Sequence, residues 1–221
     1  SNLEAIKQNK RFIEENLNRC FLPIQSKEVS QTLEGKTAKE IMPYLDKADF
    51  LLDIHASNSI NSIPFIITDE NGLELAETMP CKVISLGWDY FEEGTTDCYM
   101  HLNNKKGICF ESGHINDLRS ITRAENAIIS FLTDLGFING VKKKTNQKDY
   151  FKIVSIYKNN EYLFRKSRDF SDFEILKEKT LVGKEGDKSV FVDAGLAVVF
   201  VRDKEKLGSE CFLVARRIKK N

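Results

Sequence analysis

The chain has 221 residues, 41% hydrophobic and 30% charged, a make-up that fits one large or two modest globular domains and excludes a disordered segment. Its 33 basic and 33 acidic side chains cancel, which speaks against a general nucleic-acid binder, and no apolar run approaches the ~20 residues that span a bilayer. Five scattered cysteines without a Cys-x-x-Cys speak against a disulfide framework or a zinc knuckle, so a reducing cytoplasm is expected.

Leu3, Ile6, Arg11/Phe12 and Ile13 recur at helical spacing, which predicts a helix over 1–16 that is already under way where the chain begins. A loop closed by Pro23 follows. A second helix is predicted over 37–47, with Thr37 and Glu40 as a capping box and Pro43 inside. Four short apolar runs then have strand length: 50–54, 63–67, 82–86 and 107–111. Being apolar on both faces, they predict a buried sheet with helices outside. The longest helix is expected over 116–135, buried through Leu118, Ile121, Ile128, Leu132 and Leu135 and stopped by Gly136.

From residue 140 the composition changes. Lys142, Lys143 and Lys144 read as a solvated linker, which divides the chain into an α/β domain over 1–145 and a small β-rich domain over 146–221. In the second part 150–157, 161–165, 188–201 and 210–218 read as strands, with Asn159–Asn160 as a hairpin turn between the first two. Its aromatic residues, Tyr150, Phe151, Tyr157, Tyr162, Phe164 and Phe170, are expected to fill a core.

Three stretches could carry chemistry. Asp53 and His55 share one face at the end of a strand, as a metal ligand with its orienting carboxylate or as a hydrogen-bonded histidine at a sheet edge. Arg11, Asn18 and Arg19 crowd a helix end and its loop, where planar guanidinium forks suit a carboxylate and also suit plain surface charge. Glu111 ends an apolar strand beside Ser112, Gly113 and His114. A carboxylate placed there is unusual without a partner, and burial would raise its pKa toward that of a general base. Glu111 and His114 could also share a metal.

Together these stretches resemble the succinylglutamate desuccinylase/aspartoacylase family of zinc-dependent, carboxypeptidase-like amidohydrolases. Asn16-Leu17-Asn18-Arg19-Cys20-Phe21, preceded by Arg11-Phe12-Ile13, is similar to the family's substrate-binding stretch. Asp53-Ile54-His55 resembles the segment that supplies the third zinc ligand, and Glu111-Ser112-Gly113 the strand end that supplies the catalytic glutamate. The resemblance implies a zinc-carboxypeptidase-like central mixed sheet flanked by helices, followed by a small β-rich C-terminal domain. It implies that His55 binds Zn2+, oriented by Asp53, and that Arg11 polarises the scissile carbonyl. Asn18 and Arg19 would then grip a substrate carboxylate, with Glu111 as the base. The substrate so implied is a small, acidic N-acyl amino acid or related amide.

The family takes its other two zinc ligands from a His-x-x-Glu motif upstream of the Arg/Asn-Arg stretch. None of the three histidines here, His55, His101 and His114, has a glutamate three residues on. An N-terminally truncated enzyme is therefore expected, with a metal-free, non-catalytic carboxylate-binding protein as the alternative. Missing first strands would leave a sheet edge uncovered, a route to homo-oligomers. Aspartoacylase-like members also place a further arginine about ten residues before the catalytic glutamate. An ungapped comparison puts His101 there, near Lys105 and Lys106.

Overall fold

A computed structural model describes residues 2–140 and 147–220. The lysine run 142–144 and the boundary drawn at 145 lie outside the described residues. The chain opens with a short helix α1 (Leu3–Lys7), one 3-10 turn (Leu17–Arg19) and two tandem helices, α2 (Lys27–Gln31) and α3 (Leu33–Leu45). Then come β1 (Phe50–Ser57), β2 (Phe65–Ile67), α4 (Leu73–Thr78), β3 (Val83–Leu86), α5 (Thr96–Leu102), β4 (Lys106–His114) and α6 (Arg119–Asp134). The rest is strand: β5 (Asp149–Lys158), β6 (Phe164–Lys166), β7 (Glu174–Ile175), β8 (Thr180–Glu185), β9 (Lys188–Val192), β10 (Leu196–Val199) and β11 (Glu210–Ile218).

Eight strands form one mixed sheet in the order β1-β4-β2-β3-β5-β11-β10-β7, and β6-β8-β9 form a small antiparallel sheet. β1 runs parallel to β4, β2 antiparallel to β4, and β3 parallel to both β2 and β5. The fold is therefore α/β, with a central mixed sheet flanked by helices and a smaller β-sheet after it. The period of two along each strand divides the core. Phe65, Val83, Phe151 and Leu213 face one layer, which also holds Trp88, Phe173 and Phe200. Ile66, Ile84, Ile108 and Phe110 face the other, against α4 and α6. β10 and β11 are buried on both sides, because Val198, Phe212 and Val214 pack on Phe164, Val182 and Val190 of the small sheet. Phe151, Phe164 and Phe170 are core residues as expected, whereas Tyr162 is exposed.

Four sequence expectations are corrected. The first helix ends at Lys7 rather than running to residue 16, with Asn9 in the left-handed region at φ 51°. Its expected apolar stripe does not exist: Leu3 and Ile6 are exposed and only Ala5 is buried. Beyond it, the buried Glu34 carboxylate accepts the backbone N–H groups of Ile13, Glu14 and Glu15, which helical hydrogen bonding would otherwise use. The second helix starts at Leu33, because Thr32, not Thr37, caps it by accepting the Gly35 N–H at 2.9 Å. α6 keeps only part of the expected stripe. Leu135 packs against the core as expected, but Leu118 and Ile121 are 83% and 61% exposed, while Ser120 and Ala127 are buried and Phe131 packs beside them. The small residues let α6 approach β4 closely. Gly136 does end α6, at φ 78°. Finally, Asn159–Asn160 is not a hairpin turn. β5 pairs with β3 and β11, and β6 with β8, because the fully buried Asn159 carboxamide ties Tyr162 O to the Ser209 N–H.

Candidate active site

β1 and β4 are parallel neighbours, and their register sets His55 beside Glu111 and Asp53 beside Cys109. All four side chains leave the same face near the carboxyl ends of the strands, where open α/β sheets hold their ligands. His55 Nε2 lies 3.1 Å from Asp53 Oδ2, which also accepts the Thr96 hydroxyl at 2.5 Å. Burial pulls the His55 pKa down, but the hydrogen bond and charge of Asp53, with the charge of Glu111, outweigh it and raise it. His55 Nδ1 is left facing Glu111 Oε1 at 3.9 Å.

Glu111 is 6% exposed, and its Oε2 is buried without a hydrogen-bond partner. Burial pushes its carboxyl up to about 7, against the pull of the His55 charge. The next two residues fix it in place. The Ser112 hydroxyl donates to His55 O at 2.8 Å, tying the two strand ends together. Gly113 turns the chain at φ 107°, a conformation suited to glycine, and a Cβ there would meet Arg123 Nη1 at 2.7 Å.

The stretch 11–19 reaches the same place from outside the sheet. Glu34 anchors its backbone, and the 3-10 turn Leu17–Arg19 then delivers two side chains. Asn18 Oδ1 accepts the Thr96 N–H at 3.1 Å, and its Nδ2 lies 3.5 Å from His55 Nε2. Arg19 Nη2 is 2.5 Å from Glu92 Oε2, while Nη1 donates to Asn18 O at 2.6 Å.

These elements enclose a cavity of about 520 Å³ whose wall includes Arg11, Asn18, Arg19, His55 and Glu111. Asp53 stands behind His55. Thus all six residues singled out from the sequence converge on one place. Burial and the neighbouring charges of Arg19 and Arg202 hold Arg11 below the usual arginine range.

Several wall residues escaped sequence reasoning, among them Glu92, Arg202 and Glu210. The last two flank the connection between β10 and β11, far along the chain. Their signal was an arginine directly after one apolar strand and a glutamate opening the next. Burial and its hydrogen bond to Glu92 raise the Glu210 pKa.

The residues at and near the place of the family's further arginine lie elsewhere. The two ring nitrogens of His101 donate to Asp89 Oδ2 at 2.8 Å and Gly107 O at 2.9 Å. Lys105 donates to the carbonyls of Leu45 and Asp46, and Lys106 pairs with Glu74. None of these three lines the cavity. Nor does His114, whose Nδ1 accepts the Asn116 N–H, so no metal shared with Glu111 is indicated.

His55, Cys109 and Glu111 each offer a donor atom, and these atoms lie within 4.8 Å of one another. Nitrogen and sulfur donors of these kinds are ones zinc takes, so His55 and Cys109 fit a divalent ion, and the unpartnered Glu111 oxygen beside them is a buried polar atom that a water entering the site would satisfy. Among the described residues no helix is long and apolar enough to cross a membrane.

Residues 1–128 match the family model described as the succinylglutamate desuccinylase/aspartoacylase catalytic domain. No curated protein matches. Among solved structures, the succinylglutamate desuccinylase of Vibrio parahaemolyticus superposes with a TM-score of 0.75 at 16% identity, over 98% of this chain and 69% of that one. A succinylglutamate desuccinylase/aspartoacylase from Rhodobacter sphaeroides gives 0.74 at 17%, over 99% and 74%. The product-bound ectoine utilization protein of Ruegeria pomeroyi gives 0.71 at 16%, over 97% and 72%. At these identities the likeness establishes a shared fold.

Proposed function

The chain belongs to the succinylglutamate desuccinylase/aspartoacylase family, and from that membership we propose that it is a zinc-dependent hydrolase of the amide bond in an N-acyl amino acid or related small amide. The observation that carries the reading is Glu111. It is a buried carboxylate raised to about 7, with one oxygen unpartnered, beside His55 on the wall of a cavity rich in arginine.

His55 would hold the ion, kept in orientation by Asp53, with Cys109 a further donor in reach. Zinc, when bound, supplies Lewis acidity to the site. The chain's own residues do the rest. Glu111 takes a proton from the attacking water and hands it to the leaving nitrogen, a role typically worth about 10²–10⁴-fold. Arg11 offers donors to the charge that develops on the carbonyl oxygen. Asn18 and Arg19 hold a substrate carboxylate, and the buried walls limit competing water. The five free cysteines suit a reducing cytoplasm.

A second reading has an observation of its own. Of the zinc ligands the family uses, the sequence holds His55 but no His-x-x-Glu. On that reading the chain binds carboxylates without metal or turnover. Elemental analysis of the dialysed protein separates the two. Zinc near one per chain, lost in an Asp53→Ala/His55→Ala double variant, supports the hydrolase. Carboxylate binding by zinc-free protein, unaltered by added zinc, supports the second reading.

A further inference from the structure

We infer that Arg202, contributed by the connection between β10 and β11, is a further guanidinium that receives the substrate's α-carboxylate in this cavity, alongside Asn18 and Arg19. The inference rests on the hydrolase reading above and assigns a residue that lies outside the part of the chain matching the family's catalytic model.

Three guanidinium groups stand on the cavity wall, those of Arg11, Arg19 and Arg202. Arg19 already spends two of its five N–H donors internally, on Glu92 and on Asn18 O. Arg202 does not. Its Nε is buried with no hydrogen-bond partner, and the carboxylate paired with it, Glu210, stays 3.8 Å from Nη2, beyond hydrogen-bond reach. Burial and the bond to Glu92 also raise the Glu210 pKa, which weakens its pairing with Arg202. A buried charged donor left unmet is costly, and native structures keep such groups where a ligand or an ion meets them.

The backbone that presents Arg202 is fixed rather than loose. Phe200, two residues earlier, lies in the left-handed region at φ 56°, a conformation that phenylalanine adopts only when its surroundings enforce it. Asp172 enforces it by accepting the Phe200 N–H at 2.8 Å while it also accepts the Ser62 hydroxyl at 2.6 Å. The Arg202 N–H donates to Cys211 O at 3.0 Å. A strained, pinned turn thus aims a fork with unspent donors at the site. A planar fork of this kind binds a carboxylate through two parallel hydrogen bonds, which a lysine cannot reproduce. His101, Lys105 and Lys106, the other cations considered for this task, are engaged elsewhere.

Calorimetric titration of the purified chain tests the assignment. The probes are N-acetyl and N-succinyl amino acids and the matching α-carboxamides, which lack the α-carboxylate. Arg202→Gln should weaken binding of the acids at least tenfold and leave the carboxamides unchanged, and Arg202→Lys should fall between. Unchanged affinity of Arg202→Gln for the acids overturns the assignment and leaves the hydrolase reading standing. Equal weakening of acids and carboxamides also overturns it, because Arg202 would then only shape the wall. Acids that bind neither the parent chain nor the variants overturn the assignment and the hydrolase reading together.

Discussion

Glu34 is the buried peg that holds the cavity-lining stretch 11–19 on the fold, and Glu34→Gln is the least intrusive way to remove it. Its Oε1 accepts from Ile13 N at 2.8 Å and Asn2 Nδ2 at 2.6 Å. Its Oε2 accepts from Glu14 N at 3.4 Å and Glu15 N at 3.3 Å. A glutamine keeps the first oxygen but turns two charge-assisted bonds into neutral ones, a loss of about 1 kcal/mol each. It also points an amide N–H₂ at two further donors, forfeiting two long bonds worth roughly 0.5 kcal/mol each. The sum is about 3 kcal/mol. For a domain of this size that lowers the melting temperature by roughly 6–12 °C. The loss should concentrate locally, so hydrogen exchange at the amides of Ile13, Glu14 and Glu15 should accelerate far more than exchange in β4. Urea melts together with exchange mass spectrometry read both effects. A loss under about 0.5 kcal/mol, with exchange at these amides unchanged, would refute the reasoning.

Two other perturbations follow from single contacts. Gly94 sits at φ 77° with its Cβ position 2.5 Å from Arg19 O, so Gly94→Ala must displace the Arg19 backbone. A cost of about 1–3 kcal/mol is expected, with a clear fall in carboxylate affinity, and unaltered binding would show that Arg19 is not needed where it stands. His101 is raised to about 9, because its bond to Asp89 and its contact with Gly107 O outweigh burial. A folded pKa above the unfolded ~6.5 means that this stability is fully present below pH ~6.5 and lost as pH rises to about 9, on the order of 2–3 kcal/mol. Chemical denaturation across that window should show the decline in the parent chain, and His101→Gln should flatten it.

Much of the architecture was legible because apolar runs of strand length are hard to misread. The runs at 50–54, 63–67, 82–86 and 107–111 all became strands of one sheet. The convergence of Asp53, His55 and Glu111 was legible in part, since period two fixes which side chains share a face. Their neighbourhood, however, depends on β1 pairing with β4 across more than fifty residues. Apart from the cap of the second helix, the failures were long-range. Nothing near residues 9–16 announces that Glu34 will take their N–H groups. α6 carries more apolar residues than it buries, so periodicity alone chose a stripe that holds only in part, at Leu135, and close approach to β4 buries Ser120 and Ala127. Asn159 looked like turn chemistry, yet its carboxamide serves as a buried strut. Arg202 and Glu210 reach the cavity only because β5 and β11 extend the same sheet that carries β1 and β4.

The most direct measurement is amine release from N-acyl amino acids by the metal-loaded protein, followed with and without a chelator and in Glu111→Gln. Turnover should require zinc and fall by about 10²–10⁴-fold in Glu111→Gln, while the variant keeps its zinc. Turnover that survives chelation, turnover undiminished in Glu111→Gln, or no turnover with zinc bound would each contradict a zinc hydrolase that uses Glu111 as its base.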